Sequence, residues 1–183
     1  MIAETLIILF VIAVKQKSFE NLASIPTRAY GFLIGFVAIK IAVFLCAKMG
    51  ADLDTLRFVS FFSHALLFAF LYYNRNYKGV YLILLGSVLN FFVMYLNGLC
   101  MPIHAEFFKR ISPVVYEQTL SGKSLHHVIM TDATKFGFLG DVIPFFKPYP
   151  FAKLVSIGDI ILAIGFVILG YTVLRGDYVD EEN

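Results

Sequence analysis

The sequence predicts an all-α integral membrane protein, folded as a single helical bundle with about five transmembrane helices. The chain is 59% hydrophobic and only 15% charged, and its mean hydropathy is +0.78. An average soluble domain has about 45–50% apolar and about 25% charged residues. With 183 residues, the chain has the length of one domain, 1–183, without a separate soluble module.

Apolar segments close to the length of a membrane span support the same prediction. A transmembrane helix needs about 20 apolar residues, because it rises about 1.5 Å per residue across a hydrocarbon core about 30 Å thick. Four segments qualify or come close, at residues 29–48, 55–73, 80–99 and 155–174. A fifth, residues 2–14, is short, and it carries Glu4 where a signal peptide would carry a basic residue. We therefore expect a retained first span.

Basic residues in the short loops predict the orientation of the bundle, because such loops stay in the cytoplasm. Six basic residues fall on one side of the predicted membrane: Lys15, Lys17, Arg28, Arg75, Lys78 and Arg175. The opposite short loop holds only Lys48 and Arg57, beside two aspartates. The N-terminus is therefore expected outside the membrane, and the C-terminus in the cytoplasm.

This orientation makes residues 100–154, which we call the cap, one long extracytoplasmic segment. Long connections in compact domains are often functional. HAEFFKRI and PVVYEQTLSG are expected to form short helices that lie flat in the membrane interface, with Phe107, Phe108 and Tyr116 in lipid. PFFKPYPF contains too many prolines for a helix, so an extended stretch is expected to lead into the last span.

Two basic side chains lie inside predicted spans. Lys40 falls near the middle of the second span, where a charge costs about 2.5–3.5 kcal/mol on the insertion scale. It either faces the bundle as a paired or neutral amine, or extends to an interface. His64 lies beside Ser63 in the third span. A lone histidine there is more often hydrogen-bonded to a carbonyl or hydroxyl than it is a ligand.

Two further polar side chains, Asn90 and Asp159, lie in the fourth and fifth spans. Asparagine in a span usually bonds to another helix. Asp159 has two interpretations: it caps the last helix together with Ser156, or it is the counter-ion of Lys40 or His64. The ion pair is slightly favoured.

Motifs for nucleotide, nucleic-acid and metal chemistry are missing from the sequence. It contains no GxSxG, no GxGxxG, no phosphate loop and no HExxH. The net charge of +2 is spread along the chain, which does not indicate nucleic-acid binding. His104, His126 and His127 allow a weak alternative, a metal site shared with nearby carboxylates. We expect no metal, no cofactor, no nucleotide and no nucleic acid.

The two cysteines, Cys46 and Cys100, both fall near the extracytoplasmic face in this topology. A disulfide is possible there if the space is oxidising. Packing as small apolar side chains is the favoured alternative.

Several motifs resemble a bacterial multi-pass membrane family, domain of unknown function family 5317. They are NRNYKGVYLILLGSVLNFFVMYLNGLCMP (74–102), HHV (126–128), FLGDVIP (138–144), SIGDIILAIG (156–165) and, less closely, FENLASIPTR (19–28). The resemblance covers most of the chain. It implies a multi-pass protein of the bacterial inner membrane, and it assigns no activity.

Three of these motifs should meet at the extracytoplasmic boundary of the bundle. Glycines there allow close approach or positive φ, while the asparagine and aspartates supply polar atoms. The predicted binding residues are Asn97, Gly98, Met101, Pro102, Gly140, Asp141, Gly158 and Asp159. Alternatively, the same groups only terminate helices and attach the cap to the bundle. The binding role and this structural role are about equally favoured by the sequence.

Two functional classes follow from these predictions. The first is a non-enzymatic binding or accessory subunit, whose cap docks a membrane lipid, an ion or another membrane-protein subunit. The second is a small transporter or membrane enzyme that uses Lys40, His64 and Asp159 as a relay. The absence of evident inverted repeats argues against ordinary secondary transport, so the first class is favoured.

Overall fold

The computed structural model describes residues 27–147 and 152–175 of the chain. The predicted first span at residues 2–14 and the acidic tail lie outside these residues, as does part of PFFKPYPF. Among the described residues there are seven α-helices: α1 (Tyr30–Lys48), α2 (Leu53–Phe62), α3 (His64–Tyr73), α4 (Val80–Leu96), α5 (Ala105–Ile111), α6 (Pro113–Leu120) and α7 (Ile157–Arg175). The predicted helical fold is thus confirmed in its main feature.

Three helical stretches are long and apolar enough to cross a membrane: Tyr30–Lys48, Leu53–Tyr73 and Ile157–Arg175. The second stretch is broken at Ser63, between α2 and α3. α4 is apolar but shorter, with 17 residues. It ends at Leu96 instead of the predicted residue 99, because Gly98 and Leu99 adopt positive φ angles of 72° and 63°. α7 begins two residues later than predicted, because residues 153–155 form a strand.

The helices form two groups. α1 packs against α2 and α3, and α4 packs most extensively against α7. Leu71, Val80 and Ile83 form a buried cluster that joins α3 to α4, and Leu162 and Leu169 of α7 pack against it. α4 and α7 run antiparallel, because Gly79 lies against Gly165 and Gly86 lies against Gly158.

The cap contains short strands that the all-α prediction omits. They are β1 (Met101–Ile103), β2 (His127–Ile129), β3 (Ile143–Phe145) and β4 (Lys153–Val155). β1 pairs with β2 in parallel, and β3 pairs with β4 antiparallel. An isolated parallel bridge joins Ile103 to Asp141. Each strand is only three residues long, which is too short for an alternating pattern of apolar and polar residues to be detected in the sequence.

The cap has a small core of its own, made of Ile103, Phe108 and Leu154. Phe107 and Tyr116 pack against this core, and Phe108 is buried. α5 and α6 confirm the two predicted short helices. Phe108 is buried in the cap core, so the prediction that it enters lipid is wrong. Phe107 and Tyr116 are half-buried, and their contact with lipid stays a prediction. The β1 and β4 strands supply an apolar surface within the cap, and burying the Phe108 ring there stabilises the cap itself.

Candidate functional site

Four glycines bring the backbones of α4 and α7 into close contact. A Cβ atom at Gly86 would lie 2.5 Å from the Gly158 oxygen and 2.9 Å from the Leu162 nitrogen. A Cβ at Gly165 would lie 2.8 Å from the Gly79 oxygen. Gly158 and Gly165 of α7 thus face Gly86 of α4 and Gly79, the residue directly before α4, with the same spacing of seven residues on each side. Small residues of this kind allow helices in membranes to approach closely.

A closed polar network lies beside these glycines. The Asn90 amide donates to Asp159 Oδ1 at 2.9 Å and its oxygen accepts from Ser156 Oγ at 2.8 Å. Ser156 Oγ also accepts from the Asp159 backbone N–H at 2.9 Å, and the Ser156 N–H lies 3.3 Å from Asp159 Oδ2. Ser156 and Asp159 therefore form a capping box at the start of α7. The network joins α7 to α4, as predicted for an asparagine within a span.

Asn97, at the end of α4, connects the bundle to the cap. Its amide nitrogen donates to the oxygens of Val93 and Lys135, at 2.7 and 2.8 Å. Its amide oxygen accepts from the Lys135 N–H at 2.9 Å. Asn97 thus holds both backbone groups of one residue in the cap.

Asn74, which the sequence analysis did not single out, makes the same arrangement at the end of α3. Its side chain is bonded to both backbone groups of Arg28 and to the Phe70 oxygen. Both asparagines follow tyrosine-rich helix ends, in YYN and YLN. An asparagine directly after an apolar helix is the sequence signal for this type of clamp.

Arg57 is a second connection between the bundle and the cap that the sequence analysis missed. Its guanidinium donates to the backbone oxygens of Gly122 and Ser124, with distances of 2.6–3.2 Å, and it pairs with Asp54 at 2.8 Å. The two carbonyls follow the end of α6, where backbone oxygens lack helical partners. From the sequence, Arg57 contributes only to the predicted orientation.

Asp141 is a buried carboxylate at the centre of the cap. Its Oδ2 lies 3.3 Å from His127 Nε2. Burial raises the pKa of the Asp141 carboxyl and the charge of Asp159 raises it further, while His127 acts in the opposite direction. The backbone of Asp141 bonds to Pro102 and His104, at 2.8 and 3.1 Å. This residue therefore holds together the loops around β1.

The other predicted site residues in the cap, and Gly98 just before it, have backbone roles. Met101 and Pro102 are buried in β1. Gly140 has no room for a Cβ, which would lie 2.5 Å from the Pro102 oxygen. Gly98 is surrounded by open space, so its φ of 72° explains the glycine there.

The three predicted motifs approach the same end of the α4–α7 pair without forming one ring. Asn97 bonds to Lys135, Asp141 pairs with His127, and Asp159 bonds to Asn90 and Ser156.

Lys40 is not paired with Asp159, so the slightly favoured ion-pair interpretation is wrong. The Lys40 ammonium donates to Ser60 O and Ser60 Oγ at 2.9 and 2.8 Å, and it lies 5.2 Å from the centre of the Phe36 ring. The helix break at Ser63 frees this carbonyl, which also accepts from Ser63 Oγ at 2.7 Å. A nearby oxygen on α2 thus satisfies the amine. Asp159 bonds instead to Asn90 and Ser156.

The histidines are distributed over separate places. His64 Nδ1 lies 2.8 Å from the Phe61 oxygen, which confirms the prediction of a backbone hydrogen bond. His104 caps α5 by accepting from the Phe107 N–H at 3.5 Å. His126 keeps part of its surface exposed, but burial of the remainder lowers its pKa, and the charges of His127 and Lys40 lower it further.

Within residues 27–147 and 152–175, no group of three or more His, Cys, Asp or Glu side chains has the arrangement of a metal site. Cys46 and Cys100 are free thiols, the first exposed and the second buried. The alternative of a disulfide between them is therefore wrong.

Comparisons with known proteins agree with the resemblance in the sequence. A family of unknown function (DUF5317) matches residues 4–171 of the chain. An uncharacterized protein of Thermotoga maritima is 34% identical over 110 residues. The match covers 58% of this chain and 58% of that relative's length. No solved structure matches the chain. Because the family match extends over most of its length, the chain belongs to the family of unknown function DUF5317.

Proposed function

We propose that this chain is a non-enzymatic binding or accessory protein of the bacterial inner membrane, and that its cap docks a membrane lipid. In this proposal the bundle has five spans, with α4 and the N-terminal segment added to the three long helical stretches. The cap lies on the extracytoplasmic face. The distribution of basic residues in the short loops supports this orientation.

The observation that carries the proposal is the outward-facing chemistry of the cap. Polar side chains of the bundle hold the side of the cap that faces the bundle. Asn97 bonds to Lys135, and Arg57 bonds to Gly122 and Ser124. Several apolar side chains remain exposed on the outside of α6, namely Val114, Val115 and Leu120, with exposed fractions of 71%, 42% and 58%. Exposed apolar surface of this kind marks contact with a membrane or a protein partner.

The experiment is native mass spectrometry of the protein extracted in polymer nanodiscs, where it keeps its surrounding lipid. We expect a retained lipid that the double variant Val114→Ser, Val115→Ser loses. Gln118→Ser is the matched control, because this residue is polar and exposed on the same helix. An identical lipid profile in the wild type and the double variant would contradict the proposal. A retained protein subunit instead of a lipid would keep the accessory role and change the partner.

A second candidate function is a proton relay that passes through the cap. The specific observation is the His127–Asp141 pair at 3.3 Å, with His126 next to it and within the electrostatic influence of Lys40. Proton flux into proteoliposomes tests this candidate. The relay requires flux in the wild type that His127→Gln abolishes, and equal flux in wild type, His127→Gln and empty vesicles would exclude it.

A further inference from the structure

Helix α4 is short for a membrane span. Its 17 residues extend about 25 Å, whereas the hydrocarbon core is about 30 Å thick. A span of this length leaves part of the hydrocarbon without an apolar surface beside it. An apolar element beside one end of α4 would cover the remainder.

The two faces of α4 differ in what they contact. One face carries the glycines and Asn90, and packs against α7. The other face is exposed and entirely apolar or aromatic, with residues at steps of three and four: Tyr81, Leu85, Val88, Phe92 and Tyr95. This exposed face, which we call the α4 stripe, has a tyrosine at each end.

A loop of the cap extends the α4 stripe beyond the helix. The ring of Phe136 lies 5.3 Å from that of Phe92, and the ring of Phe138 lies 6.1 Å from that of Phe136. Phe136 and Phe138 are 49% and 62% exposed. The aromatic surface thus continues from the helix onto the cap, on the side of the helix's C-terminal end.

The conformation of this loop is imposed by hydrogen bonds. Phe136 has a φ of 50°, which bulky residues rarely adopt. Asn97 holds both backbone groups of Lys135 on one side, and the Leu139 N–H donates to the Phe136 oxygen at 2.9 Å on the other. The loop therefore presents the rings outward in a fixed position. If burial of apolar side chains alone determined the conformation of this loop, the two rings would lie inside the protein.

We propose that Phe136 and Phe138 are a bilayer anchor, with their rings among the lipid chains just below the headgroups. The anchor lengthens the lipid-facing surface of α4 and fixes the cap at the membrane boundary. The inference rests on the membrane placement in the proposed function. It goes beyond that function by assigning lipid as the occupant of one defined surface.

Two observations favour lipid over a second protein surface. Tyr81 and Tyr95 are 14 positions apart, about 21 Å along the helix, and tyrosines concentrate at the two interfaces of a membrane. Lys135 is exposed directly before Phe136, which places a cation where lipid phosphates lie. An apolar strip between two tyrosines, with a lysine beside one end, matches a surface that crosses the hydrocarbon from one interface to the other.

The chain contains no tryptophan, so one introduced tryptophan reports its own surroundings. The test places Phe138→Trp in vesicles that contain lipids brominated either near the headgroup or deep in the chain. Phe92→Trp is the positive control within α4, and Asp132→Trp is the exposed control in the same part of the cap. Phe136→Trp serves as a second reporter. Circular dichroism verifies that each variant is folded.

We expect the Phe138→Trp variant to emit at shorter wavelength than the Asp132→Trp variant, and to lose more intensity to shallow bromines than to deep ones. The Asp132→Trp variant should instead be quenched by aqueous acrylamide. Bromine quenching at position 92 without quenching at 138 and 136 would overturn the anchor and leave the membrane placement intact. Absence of quenching at 92 as well would contradict the membrane placement in the proposed function. Blue-shifted but unquenched emission from the Phe138→Trp variant would mean that protein covers the loop, which also overturns the anchor.

Discussion

Replacing Gly86 by alanine tests the close contact between α4 and α7. The new Cβ would lie 2.5 Å from the Gly158 oxygen and 2.9 Å from the Leu162 nitrogen. Both atoms belong to a helix backbone, so neither can move away as the end of a side chain could. Overpacking of this kind costs about 1–3 kcal/mol, and the helix propensity gained from alanine returns about 1 kcal/mol. The net expectation is a loss of up to about 2 kcal/mol of unfolding free energy, and of about 1–3 kcal/mol relative to an alanine substitution without the clash.

The chain provides graded controls for this substitution. A Cβ at Gly31 meets nothing within 4 Å, and a Cβ at Gly35 meets only the Leu66 Cδ1 atom at 3.3 Å. Gly31→Ala should leave stability unchanged or slightly raised, and Gly35→Ala should have little effect because a leucine terminus can shift.

Unfolding is measured in detergent by denaturant titration, through reaction of the buried Cys100 thiol with a fluorogenic maleimide. A Cys46→Ala background removes the signal of the exposed thiol. Equal midpoints for Gly86→Ala and Gly31→Ala would refute the reasoning about the α4–α7 contact.

Three further predictions concern the cap. Asn97→Ala removes three hydrogen bonds and should destabilise the cap by about 1–3 kcal/mol, seen as faster maleimide labelling of Cys100; unchanged labelling would count against the clamp. Arg57→Ala leaves the Ser124 oxygen without its partner and should cost about 1–3 kcal/mol in the same assay, with Arg57→Lys losing less. Because the pKa of Asp141 is raised above 3.8, its contribution to stability is fully present below about pH 4 and is lost as the pH rises through the folded-state pKa. As the pH rises through the folded-state pKa of Asp141, the denaturant midpoint of the wild type should fall relative to that of Asp141→Asn. Midpoints of the two proteins that change in parallel with pH would contradict this.

The helical part of the fold could be predicted from the sequence because apolar segments of membrane length are a local property. The predicted segments at 29–48 and 55–73 agree with α1 and with α2 plus α3 to within two residues at each end. The stop at Gly98 follows from local backbone chemistry. The capping box of Ser156 and Asp159 likewise depends on residues three positions apart.

Side-chain pairing over long distances could not be predicted in the same way. Lys40 bonds to Ser60 because the helix break at Ser63 exposes the Ser60 carbonyl. No periodic pattern in the sequence predicts that break. Arg57 reaches the cap across 67 positions of sequence. Such choices depend on how the elements pack.

The glycine contact between α4 and α7 is intermediate in how well it can be predicted from the sequence. Glycines seven residues apart occur at 79 and 86, at the start of and within α4, and at 158 and 165 in α7. The spacing was visible in the sequence, and it would have indicated a close helix pair.

The measurement that tests the account most directly is the side of the membrane on which the cap lies. With both cysteines replaced by alanine, Asp132→Cys marks the cap and Lys78→Cys marks the short loop between α3 and α4; both positions are exposed. A membrane-impermeant maleimide is applied to intact spheroplasts and, separately, to lysed ones. The account predicts labelling at 132 in intact spheroplasts and at 78 only after lysis. Labelling at 78 before lysis, with 132 protected, would contradict it.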